Sequence, residues 1–163
     1  MNTELTYSHV RVPRVEQVPQ RWVPSPWNIS ITVSVNTVAR RIYQALTVPE
    51  YQEAWFCMPG HDTNCLIAAT QTTTGFRLDR FCLSGVDQHI EGTYLVMRHN
   101  KLHFSWRKCD VSNAPDSLVQ IRLYGDFGRT TVRLSHIGLQ SAEERRWHQE
   151  MWETSLAKLA SLF

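Results

Sequence analysis

The chain has 163 residues, a formal net charge of +2, and 42% hydrophobic against 20% charged side chains. That balance suits a single soluble globular domain, long enough to bury roughly two thirds of its unfolded surface. The small net charge excludes nucleic-acid or membrane binding driven by bulk electrostatics, and no apolar run approaches the ~20 residues that span a bilayer.

Residues 1–27 read as an extended N-terminal arm. Pro13, Pro19, Pro24 and Pro26 break any helix and disfavour a central strand. Arg11, Arg14 and Arg21 make the arm locally basic, while Trp22 and Trp27 are suited to pin it to the domain surface. An arm exchanged between the subunits of a homodimer is the alternative. The first residues, MNTELTYSHVRVPRVEQ, lack the apolar core of a secretory signal, so the expected location is the cytoplasm. In that compartment Cys57, Cys65, Cys82 and Cys109 are expected as free thiols.

Residues 28–163 read as one domain. Ile29–Val35 alternates apolar and polar side chains, the mark of a half-buried strand. Asn36 or Thr37 is placed to cap a short helix over Val38–Leu46, and Pro49 opens a second short helix reaching about Trp55. The pattern dissolves between Phe56 and Asn64, where Pro59-Gly60 signals a turn. Strand-like runs follow at Leu66–Thr70, Gly75–Phe81, Ile90–Arg98 and Lys101–Arg107, the last two joined at His99-Asn100. Arg77, Arg80, Arg98, Arg107, Arg122 and Arg133 are expected on a solvated outer sheet face.

The stretch Leu118–Leu162 has the clearest pattern. Val119, Ile121 and Leu123, then Val132 and Leu134, alternate with polar residues on either side of Gly125-Asp126-Phe127-Gly128, a hairpin. Ser141-Ala-Glu-Glu144 is a capping-box start to a helix of about 22 residues, ~33 Å long. Trp147, Met151, Trp152, Ser155, Leu156, Leu159 and Phe163 share one face of it. The fold class is therefore α+β. A curved antiparallel sheet of about six or seven strands wraps the long C-terminal helix, with two short helices after the first strand.

Several of these residues resemble a known family. Arg129–Leu139, then Trp147, Trp152 and Leu156–Leu159, is similar to the C-terminal signature of the Hsp90-ATPase-activator-like branch of the START/Bet v 1 (SRPBCC) superfamily. Ile31–Val35, Val38–Leu46, Pro49-Glu50, Trp55, Ile90-Glu-Gly92 and Leu102–Trp106 fit its earlier elements, so the similarity spans about Asn28 to Phe163. The chain departs from it at Met151-Trp152, where the family often has Gly-Trp, and at Thr72-Thr73-Thr74-Gly75. The resemblance implies a helix-grip fold with a cavity between sheet and helix. Its members include lipid or polyketide binders, cyclases, resistance proteins and co-chaperone domains. With no second, N-terminal co-chaperone domain read in these residues, direct activation of an Hsp90-type chaperone is not the expectation.

Function is expected to lie in that cavity, as binding of a small hydrophobic or aromatic molecule. The expected lining is Trp55, Phe56, Leu78, Phe104, Trp106, Ile121, Leu123, Val132, Leu134, Met151 and Trp152, with His136 and Ser155 as polar groups. Trp55–Asn64 is the expected mouth. The bland alternative is that the same residues pack into an ordinary core. The enzymatic alternative makes His136 an acid or base for a cyclisation or hydrolysis, although no nucleophile, base and orienting group can be read together. A protein-interaction role on the outer surface is a further alternative. Cys57-x3-His61-x3-Cys65 offers three soft ligands without a fourth, so neither a metal nor another cofactor is expected.

Overall fold

The computed structural model describes residues 25–60, 65–110 and 115–163. Seven strands form one antiparallel sheet: β1 (Ile29–Val35), β2 (Leu66–Gln71), β3 (Gly75–Cys82), β4 (Gly85–Arg98), β5 (Lys101–Lys108), β6 (Ser117–Asp126) and β7 (Arg129–Ile137). Their order is β1-β7-β6-β5-β4-β3-β2, so the first strand closes against the last. Helices α1 (Ala39–Thr47) and α2 (Pro49–Trp55) follow β1, and α3 (Ala142–Ser161) ends the chain. This is the expected α+β arrangement, a curled half-barrel around a C-terminal helix. The expected N-terminal arm lies outside the described residues, except for a turn at its end. There Ser25 Oγ donates to the Leu139 carbonyl and Asn28 Oδ1 accepts from the Gly138 amide.

Alternation sets the faces. On β6, Val119, Ile121 and Leu123 are buried while Arg122 and Tyr124 are exposed, and β7 pairs Val132 and Leu134 with Leu123 and Ile121. Strand pairing continues through Asp126 opposite Arg129, leaving only Phe127-Gly128 in the turn. Their φ angles of 41° and 82° are what a two-residue turn of the mirror-image type requires. Phe127 points its whole side chain into solvent.

Helix ends depart from the sequence reading in instructive ways. The cap of α1 is Val38, with no side-chain hydrogen bond, so neither Asn36 nor Thr37 caps it. The Thr37 carbonyl instead accepts from Thr130 Oγ1 at 2.7 Å, tying the helix entry to β7. At α3, Ser141 Oγ accepts from the Glu144 amide as expected. The Glu144 carboxylate takes the Gln140 amide, one residue ahead of the cap, at 2.6 Å. The buried face of α3 carries His148, Met151, Trp152, Ser155, Leu156 and Leu159. Trp147 and Phe163 are not part of it. Trp147 lies at the rim with the Lys108 ammonium 4.2 Å above its ring, and Phe163 is exposed near Arg41.

Two other expectations are corrected. Arg80 is not on the solvated face: it shares the inner face of β3 with Phe76 and Leu78 and is only 3% exposed. Its guanidinium pairs with Asp87 at 3.1 Å and reaches the Pro59 carbonyl. Cys65 and Cys82 are not free thiols but a disulfide, because pairing of Leu66 with Phe81 brings their neighbours face to face, 4.5 Å between Cα atoms. Cys57 and Cys109 are free. The disulfide removes Cys65 from the three-ligand pattern, and His61 and Asp62 lie outside the described residues. No helix of the described residues is long and apolar enough to cross a membrane.

Candidate functional site

Where the sheet, α2 and α3 face one another, the interior is aromatic. Phe56 follows α2 directly and drops its ring between Trp106 and Trp152, 5.9 Å from each centroid and 5.6 Å from Trp55. Phe76 packs edge-on to Phe104 at 5.2 Å. The Phe76 ring lies where Gly92 has no side chain, and any Cβ there would collide with it. The glycine of Ile90-Glu-Gly92 is thus explained by the Phe76 ring on one side and the Ser105 backbone carbonyl on the other.

The space left between these walls is about 20 Å³, room for roughly one water. Seven of the expected lining residues border it: Trp55, Phe56, Leu78, Phe104, Trp106, Ile121 and Trp152. Leu46, Gln52, Phe76 and Leu102 border it too and were not anticipated. Phe76 and Leu102 could have been found from strand alternation. Gln52 could not, since a polar residue in a short helix gives no such signal. Leu123, Val132 and Leu134 are buried in the surrounding core without bordering the space.

His136 is inward, as alternation requires, and completely buried. Both of its ring nitrogens are engaged. Nδ1 accepts the Trp152 indole N–H at 3.0 Å, and Nε2 meets Ser117 Oγ at 2.7 Å. Since Nδ1 accepts, the neutral ring carries its proton on Nε2 and donates to Ser117, whose hydroxyl passes on to the Trp106 carbonyl at 3.3 Å. His148 stands beside it, ring centroids 4.8 Å apart, accepting the Trp106 indole N–H on Nε2 and donating Nδ1–H to the Glu144 carbonyl. Burial pushes His136 well below the ordinary histidine pKa, with nearby His148 adding to it; burial likewise brings His148 to about 4. Two neutral histidines therefore orient two indoles. Ser155 is similarly engaged, accepting from the Cys57 amide at 2.9 Å and donating to the Cys57 carbonyl.

Outside this core lies an open cleft of about 430 Å³. Residues 56–60, part of the expected mouth, form one bank, with Leu66 and Ile67 of β2, Arg80, and Glu150, Met151, Thr154 and Lys158 of α3 on the others, whereas Trp55 borders the inner space. The remainder of the expected mouth, residues 61–64, is outside the described residues. Met151 faces this cleft rather than the inner space. Phe56 lines both the cleft and the inner cavity.

The family model described as Activator of Hsp90 ATPase homolog 1-like protein matches residues 36–163. The chain belongs to that family. No curated protein matches the sequence significantly. Among solved structures, protein CV1439 from Chromobacterium violaceum superposes with a TM-score of 0.72 at 17% identity, covering 85% of this chain and 97% of that one. The AHSA1 (SPO3351) protein from Silicibacter pomeroyi gives 0.67 at 18% identity, covering 82% and 95%. CalU16 from Micromonospora echinospora gives 0.58 at 21% identity, covering 84% and 78%. At these identities the likeness establishes the fold.

Against the Hsp90-activator-like pattern, the Met151-Trp152 departure now has a structural meaning. Trp152, common to both, supplies a cavity wall and an indole for His136, while Met151, which stands for the glycine, lines the outer cleft rather than the inner space. The described residues hold no cluster of three or more His, Cys, Asp or Glu side chains placed to bind a metal.

Proposed function

We propose that this member of the Hsp90-activator-like family binds a small, neutral, apolar or aromatic molecule, taken from the outer cleft into the inner cavity by displacement of the Phe56 ring. The shared position of Phe56 carries the reading: one residue lines both a cleft of about 430 Å³ and a cavity of about 20 Å³. Its backbone is held by the Gln52 carbonyl and its neighbour Cys57 by Ser155, so a side-chain rotation opens the way without moving the chain. Removing that ring from its packing costs about 2 kcal/mol, which a ligand of similar size recovers by burial in its place. Membership in the family fits ligand-binding and cyclase-like roles alike. Catalysis by His136 would require the ring to release the Trp152 or Ser117 hydrogen bond, and nothing else in the site favours it. Cytoplasmic residence belongs to the same reading, with the Cys65–Cys82 bond as the feature that tests it.

Titration with a panel of single-ring aromatics, followed by calorimetry and tryptophan fluorescence, tests the proposal. Saturable binding that perturbs emission is expected, since Trp55, Trp106 and Trp152 all border the cavity. Silence across the panel would contradict it.

A further inference from the structure

Gln52 interrupts the aromatic wall of the inner cavity and is only 5% exposed. Its amide nitrogen donates to the Leu46 carbonyl at 2.8 Å, which fixes which way the amide faces. The carbonyl oxygen, Oε1, is buried and has no hydrogen-bond partner among the described residues. The indoles around the cavity cannot supply the missing donor: Trp55 Nε1–H goes to the Ala45 carbonyl, Trp106 to His148 and Trp152 to His136. Orphaned buried acceptors of this kind are rare in native proteins and call for a partner.

We infer that Gln52 Oε1 is the polar recognition point of the cavity, and that the ligand is a neutral single-ring aromatic bearing a hydroxyl or N–H donor. This rests on the binding role proposed above and deepens it. Size follows from the walls: withdrawing the Phe56 ring vacates about one phenyl group beside the existing 20 Å³. Neutrality follows from the lining, which contains no charged side chain. An anion would face a carbonyl oxygen, and a cation would lose its hydration for a single acceptor. A donor pointing at Oε1 satisfies a buried group that is otherwise wasted, so analogues lacking the donor should be rejected.

The test compares p-cresol with p-xylene, which differ by a hydroxyl in place of a methyl, in wild-type protein and in Gln52→Met by calorimetry. Wild-type protein is expected to prefer p-cresol by about tenfold or more, and Gln52→Met to lose that preference. If Gln52→Met fails to fold, Gln52→Asn, which withdraws the carbonyl by one methylene, is expected to show the same loss. Equal affinities in wild-type protein, or a preference that survives the substitution, would overturn the role of Gln52 while leaving the cavity as a binding site. Binding of neither compound up to millimolar concentration would overturn both.

Discussion

His136 and His148 show how residue chemistry here serves packing. Each is neutral, accepts an indole N–H and passes its own proton to an oxygen. Their pKa values are depressed by burial, so the unfolded chain binds protons that the folded chain refuses between about pH 6.5 and the folded value, about 4 for His148. Stability is therefore expected to be full above about pH 6.5 and to fall on acidification towards about pH 4. Thermal midpoints measured across that range check the slope. His103 on the outer face of β5 is also lowered to about 4, by burial first and then by Lys101 and Arg122. A His103→Gln variant should keep most of the slope if the inner pair dominates; a flat profile would assign the effect to His103. Gly92 makes a second residue-scale prediction. Gly92→Ala drives a methyl into the Phe76 ring and against the Ser105 backbone carbonyl and should cost about 1–3 kcal/mol by denaturant unfolding; an unchanged stability would show that both give way. Sequence alone placed His136 inward by strand period, yet its partners come from β6 and α3 and are invisible to local pattern.

At the scale of elements, periodicity recovered the strands well and their edges less well. β4 begins at Gly85 rather than Ile90, because its first residues pair with β3 while carrying the exposed Val86 and Asp87 that break the alternating pattern. The disulfide was missed for a related reason: the pairing of β2 with β3 decides it, and cysteine spacing does not. Reducing Cys65–Cys82, separated by 17 residues, should lower stability by about 3 kcal/mol if the unfolded chain gains the loop entropy. Unfolding curves with and without reductant measure it, and coincident curves would refute it. Thiol counting on protein from its own host would show whether the bond exists there. Edge strand β2 is guarded as well, since its Ala69 amide donates to the Glu53 carboxylate of α2 at 2.9 Å. Glu53→Ala frees that amide on an edge, and sedimentation should then show more self-association than in wild-type protein.

Across the whole molecule, the gross architecture was legible because two strands with clean alternation and one capped amphipathic helix leave few ways to bury their apolar faces together. Whether those faces touch was not legible. That outcome depends on Phe56, at the far end of α2, filling the gap between Trp106 on β5 and Trp152 on α3. Three distant segments set one volume. The resulting interior is nearly full, and the residue whose ring fills it also lines an open cleft. Affinity of one small aromatic, such as p-cresol, for wild-type and Phe56→Ala protein tests this partition most directly. With the ring gone, the roughly 2 kcal/mol spent on opening disappears, and binding should tighten by about ten- to a hundredfold. Unchanged or weaker binding in a folded Phe56→Ala protein would show that the ring does not stand between the ligand and the cavity.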